Sequence, residues 1–140
     1  AGCAACHGTD NFVPGNLIFN NGLENPYIDK GLGAVTGLTS DEGFFKVPSL
    51  RNIELTGPYM HDGRFATLEQ VVDFYSTGVV NHPNLSPQLK NPGGPAAGQP
   101  RRLNLTATAK ADLVAFMKTL TDTSVTTDPK FQDPFRYDVP

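Results

Sequence analysis

The chain has no tryptophan, two cysteines and two methionines in its 140 residues. So few cysteines exclude a disulfide-dense scaffold. No uninterrupted apolar run approaches the roughly 20 residues that a bilayer span needs, so no membrane span is expected. A basic stripe is also missing: net charge is −3 with histidine neutral, and the one basic pair is Arg101-Arg102. Nothing would neutralise a phosphate backbone, which argues against a nucleic-acid partner. No internal repeat is visible, and the length suits one domain over residues 1–140. A secretory leader is not seen, and Cys3 stands close to the first residue. A processed or trimmed start is therefore expected.

What the chain does have is Cys3-Ala4-Ala5-Cys6-His7. This is C-x-x-C-H, the attachment pattern for c-type haem. Each thiol adds to one vinyl group, and the adjacent histidine lies under the iron. The competing reading is a redox dithiol, but such a motif usually follows a strand in a βαβ unit, and no such unit is visible. One covalent haem c also suits the composition, because 39% apolar residues is a little low for a self-sufficient core. Attachment of this kind takes place outside the cytoplasm, so a periplasmic or otherwise extracytoplasmic location is expected.

Along the chain, residues 1–10 should form a short helix or turn that presents the cysteines. Residues 11–45 are rich in Gly, Asn and Asp and read as loops over the cofactor, with room for a short β-hairpin. Helical turns are expected near Pro48–Asn52. A helix follows over Leu68–Ser76, with Thr67 as N-cap, Gln70 completing a capping box and Gly78 as a left-handed end. Its apolar positions Leu68, Val71, Val72 and Tyr75 lie on one face, so Tyr75 turns inward. Residues 79–104 read as a loop. A last helix over Ala107–Leu120, capped by Thr106, should face inward through Leu113, Phe116, Met117 and Leu120. The tail after Thr121 should lie on the surface. A mostly α, loop-rich cytochrome c-type fold around one haem is expected, with the N-terminal and C-terminal helices packed together.

With His7 on one side of the iron, the group on the other side decides function. An open face admits peroxide or oxygen, whereas a filled face favours electron transfer. Met60, Met117, His61, His82 and the tyrosines are the available groups. Met117 lies on the inward stripe of the last helix and reads as core. His82, before Pro83 in a polar loop, reads as a solvent-exposed turn residue. Spacing favours Met60, 53 residues after His7; its competing reading is a gap-filling core side chain. Tyr75 stays open as the alternative, against an ordinary buried tyrosine.

The run Phe45-Lys46-Val47-Pro48-Ser49-Leu50-Arg51-Asn52 is distinctive. So are Leu55-Thr56-Gly57-Pro58-Tyr59-Met60-His61-Asp62-Gly63 and Ala66-Thr67-Leu68-Glu69. Together with Phe19-Asn20-Asn21-Gly22-Leu23 and Leu113–Leu120, they resemble the C-terminal haem domain of the bacterial dihaem cytochrome c peroxidase and MauG family. The resemblance implies a distal ligand fourteen positions beyond His61, which is Tyr75. Methionine there marks the classical peroxidases, and tyrosine the MauG-like members. It also implies a calcium ion held in part by the main-chain carbonyls of Thr56 and Pro58. His61 would lie near a haem-to-haem path, bonded to a propionate or an ordered water. Arg51 could pair with a propionate; a structural turn network is the alternative for both.

The family carries a second C-x-x-C-H in another domain, and this sequence has only one. The resemblance thus implies a partner haem domain or subunit, where peroxide would react, and a redox partner protein. An electron-transfer component of a peroxidase-type oxidoreductase is the expected function. A freestanding His/Met electron-carrier cytochrome and a haem-bearing structural subunit are the alternatives.

Overall fold

The computed structural model describes residues 2–13 and 18–135. Regular structure is mostly helical and widely spaced along the chain. One 3-10 turn at Cys3–Ala5 opens it. Two residues of β1 (Ile18–Phe19) pair antiparallel with β2 (Phe45–Lys46), Ile18 opposite Lys46 and Phe19 opposite Phe45. The expected hairpin is thus a long-range ladder, closed around the short helix α1 (Leu32–Thr36). Then come a 3-10 turn at Ile53–Leu55 and the helices α2 (Leu68–Asp73), α3 (Ala107–Lys118) and α4 (Ser124–Thr127). Among the described residues no helix is long and apolar enough to cross a membrane.

The start of α2 is written in its sequence. Thr67 accepts a bond from the Gln70 N–H, and the Gln70 side chain accepts from the backbone N–H of Thr67 and of Ala66. That satisfies donors which the first turn would leave open. The end is different from the expectation. Beyond Asp73 the helix widens into a π-helical turn, Phe74–Gly78, and the chain leaves through Val79 in a non-helical conformation. Gly78 does not take the left-handed end assigned to it; the wider turn replaces that cap.

Widening changes which side chains face inward. Leu68 and Val72 join Val114 in one buried cluster, with Ile53, Tyr59, Leu105, Leu113 and Met117 against it. Phe74, two residues beyond Val72, belongs instead to a second cluster with Leu23, Tyr27, Val79 and Leu85, on which Met60 and Tyr75 pack. The π turn is therefore the junction between the two cores.

The second long helix is two residues shorter than expected, and its stripe is rotated. Val114 is buried, whereas Phe116 is 51% exposed. α3 packs mainly on α2 and on the Ile53–Leu55 turn, and that contact selects Val114. Packing of N-terminal on C-terminal helix is replaced by this α2–α3 pair, because a single turn at Cys3–Ala5 offers no helix to pack. The tail lies on the surface as expected as far as Phe135, with Phe131 and Phe135 exposed.

Candidate haem site

The Cys3–Ala5 turn sets both cysteines near the surface, Cys3 exposed and Cys6 partly so, and neither is in a disulfide. Burial pushes the Cys6 thiol up, and the charge of Cys3 adds to the shift. A redox dithiol needs the opposite, a thiol held low. The pair is therefore poorly suited to disulfide exchange.

His7 is anchored through one ring nitrogen. Its Nδ1 lies 2.9 Å from the Phe12 carbonyl oxygen, the pairing expected of an Nδ1–H donor. This fixes the ring and leaves Nε2 as the lone-pair nitrogen, the arrangement that orients metal-binding imidazoles. Arg51 secures the same segment: its guanidinium donates to the Asp10 carbonyl at 2.8 Å, while Ser49 donates to the Asn11 carbonyl at 2.6 Å. Arg51 thus participates in the turn network named as its alternative, and it is exposed.

Tyr75 lies on the π turn. Three groups hold that turn. Ser76, fully buried, accepts from the Leu105 N–H at 3.0 Å. The Ser76 carbonyl accepts from the N–H groups of Leu103 and Asn104. Arg102 donates to the carbonyls of Thr77 and Val79, both at 2.6 Å. Tyr75 itself is partly exposed, yet desolvation pushes its hydroxyl up to about 12. A hydrogen bond from the Asn21 side chain opposes that shift, and negative charge on Cys6 or Cys3 reinforces it.

Met60 is partly buried against the same core, and its sulfur is 3.5 Å from Asn21 Nδ2. Its backbone is left-handed at φ 73°, costly for a side chain of this size. Sequence reasoning quoted Asn21 in a motif and assigned it no role; its signal was the Asn-Asn-Gly turn.

His61 is exposed and stacks on Phe45, with ring centroids 3.8 Å apart. His82 does not lie where it was expected. It occupies a turn, but its ring is 6% exposed. Its Nδ1 accepts from the Asn84 N–H at 3.1 Å and lies 3.3 Å from Asn20 Nδ2. A polar sequence context suggested solvent, whereas these partners satisfy a buried imidazole. Met117 is partly buried core, as expected.

Thr56 and Pro58 are exposed, and among the described residues no hydrogen bond reaches either carbonyl. No group of three His, Cys, Asp or Glu side chains gathers to hold a metal ion among the described residues. A groove of about 520 Å³ between α2 and α3 is lined by residues such as Asp73, Lys110 and Val114. None of the candidate haem residues borders it.

No protein-family model matches the chain. Curated relatives do. The chain is 36% identical over 121 residues to the methylamine utilization protein MauG of Methylorubrum extorquens, covering 86% of this chain and 31% of that protein. It is 40% identical over 104 residues to the cytochrome-c peroxidase IdrP1 of Denitromonas iodatirespirans, covering 73% and 25%. It is also similar to a solved MauG-like protein associated with microbial copper homeostasis, with 42% identity, a TM-score of 0.74 and coverage of 96% of this chain and 47% of that one. The chain spans between a quarter and a half of the length of these relatives. Their names imply haem c, and the donor set Cys3, Cys6 and His7 Nε2 fits that group. By sequence and by fold, the chain belongs to the MauG and dihaem cytochrome c peroxidase family, consistent with its C-terminal haem domain.

Proposed function

We propose that this chain is the electron-transfer haem domain of a dihaem peroxidase-type oxidoreductase, with His7 and Tyr75 as axial ligands. The observation that carries the reading is the position of Tyr75: on a π turn pinned by Ser76 and Arg102, packed on the same core cluster as Met60. Cys3 and Cys6 attach the haem, and His7 presents Nε2 because Phe12 engages Nδ1. When bound, the haem supplies a one-electron iron centre whose potential its axial ligands set. Tyr75 as an anionic oxygen donor holds that centre in its oxidised states. The filled face leaves peroxide reduction to a second haem domain or subunit, which in turn meets a redox partner protein. The assembly works outside the cytoplasm, where c-type haem is attached.

Arg51 and His61 remain near the haem edge in this reading, Arg51 with its free donors toward a propionate and His61 at the exposed end of the Phe45 stack. Thr56 and Pro58 supply two carbonyls to calcium. Calcium takes six to eight oxygens, so the other ligands come from elsewhere in the assembly and from water. Ile28, Val35 and Leu38 are exposed apolar side chains on one stretch of chain, a surface that a neighbouring domain would cover.

Substituting Tyr75→Phe in the haem-loaded protein tests the reading. The optical and electron paramagnetic resonance spectra of the ferric protein should change, and the reduction potential should rise. Unchanged spectra, or a near-infrared methionine charge-transfer band in the wild type, exclude Tyr75. The second result would favour Met60, whose sulfur is already held at Asn21, and a freestanding electron carrier.

A further inference from the structure

Five successive carbonyls, Thr9 to Val13, each meet a protein donor. The Thr9 carbonyl accepts from Phe12 N–H at 2.8 Å, and the Val13 carbonyl from the Thr9 hydroxyl at 2.7 Å. Arg51 takes the Asp10 carbonyl at 2.8 Å, and Ser49 the Asn11 carbonyl at 2.6 Å. His7 Nδ1 faces the Phe12 carbonyl at 2.9 Å. Asp10 and Asn11 are exposed, and water would serve their carbonyls nearly as well. The donors sent to them from 38 and 41 residues away therefore act on where the turn sits.

The turn is held from both ends. Ser49 and Arg51 form one unit, because the Ser49 hydroxyl oxygen accepts the Arg51 N–H at 3.1 Å while its proton goes to Asn11. Thr9 holds the far end, its hydroxyl oxygen also accepting from Val13 N–H at 3.2 Å. Between these anchors lies Phe12, with a left-handed backbone of φ 53° that a side chain of this size adopts at a cost. The carbonyl so placed is the partner of the His7 ring.

We propose that Ser49 and Thr9 are positioning residues for the proximal side, keeping the Phe12 carbonyl on His7 Nδ1 and so setting how strongly His7 binds iron. The inference rests on the reading of His7 as axial ligand and is independent of the group opposite it. A bond from Nδ1–H to a carbonyl adds electron density to the ring and makes Nε2 a better donor. A better donor favours ferric over ferrous iron, so the reduction potential falls as that bond strengthens. Nδ1 keeps its proton throughout. Arg51 backs Ser49 through Asp10 and through its own N–H. Its charge gives it a second effect of opposite sign: losing a cation lowers the potential, whereas loosening Phe12 raises it. Ser49 and Thr9 carry no charge, so their effect is free of that contribution.

The test uses the haem-loaded protein with Ser49→Ala, Ser49→Thr and Thr9→Val, beside His7→Ala. In Ser49→Ala the reduction potential should rise. Solvent exchange of the His7 Nδ1 proton, followed by nuclear magnetic resonance of the ferrous protein, should quicken by about twofold to tenfold, the range that one lost hydrogen bond gives. Ser49→Thr keeps the hydroxyl and should return both readings to wild type. Thr9→Val loosens the turn from its far end and should move both in the direction of Ser49→Ala. If either variant lowers the unfolding midpoint yet leaves potential and proton exchange unchanged, its hydroxyl only stiffens a surface turn and the proposal is overturned. A fall in potential overturns it as well. If His7→Ala keeps the wild-type haem spectrum, the ligand reading fails and the inference with it. Should one of the two variants not fold, the other decides alone.

Discussion

Ser76→Ala tests what holds the Tyr75 turn in place. Ser76 is 0% exposed, and its hydroxyl oxygen is the acceptor for Leu105 N–H at 3.0 Å. The substitution deletes one oxygen, so the void is smaller than a methyl group and the packing loss is minor. What remains is a part-buried N–H with no acceptor, which costs about 1–3 kcal/mol. The Ser76 carbonyl keeps its bonds from Leu103 and Asn104, so the strand of chain at 103–105 stays docked and the loss should settle near 2 kcal/mol. Urea unfolding of the haem-loaded protein, followed by far-ultraviolet circular dichroism, gives the difference directly. Thr77→Ala, at an exposed neighbour, serves as control and should stay within about 0.5 kcal/mol of wild type. If Ser76→Ala is equally silent, the Ser76–Leu105 bond does not secure the turn.

Two further outcomes follow from the same structure. Burial lowers the pKa of His82, with Glu42 opposing the shift and Lys90 adding to it. The unfolded chain then binds a proton that the folded one refuses, so stability is unaffected above about pH 6.5 and falls as pH drops below it. Chemical denaturation across that range should show the slope, and His82→Gln should flatten it; an unaltered slope assigns the proton elsewhere. Removing calcium from the native assembly with a chelator should lower the unfolding temperature and change the haem spectrum, while the same treatment of a preparation never exposed to calcium should do nothing. Isothermal titration that detects no calcium binding would remove Thr56 and Pro58 from the site.

The elements set by local chemistry were readable in the sequence. The Thr67–Gln70 box and the Thr106 cap are short-range hydrogen bonds, and the residues that make them stand three apart. C-x-x-C-H carried the cofactor for the same reason. Three features were out of reach because distant residues decide them. β1 pairs with a strand more than twenty residues away, and no turn signal marks such a register. Phe116 satisfies the helical stripe as well as Val114 does; only the partner helix distinguishes them. His82 is polar by neighbourhood and buried by its bonds to Asn20 and Asn84.

The wider turn at Phe74–Gly78 amounts to one residue more than an α-helix would use over the same rise. Shortening that segment by a single residue would let it relax to regular winding and change which of its side chains face the core. A sequence aligned without regard to that extra residue would then match Tyr75 to the wrong position of a relative. Ligand identity across relatives of this chain is therefore a matter of register as much as of which amino acid is present.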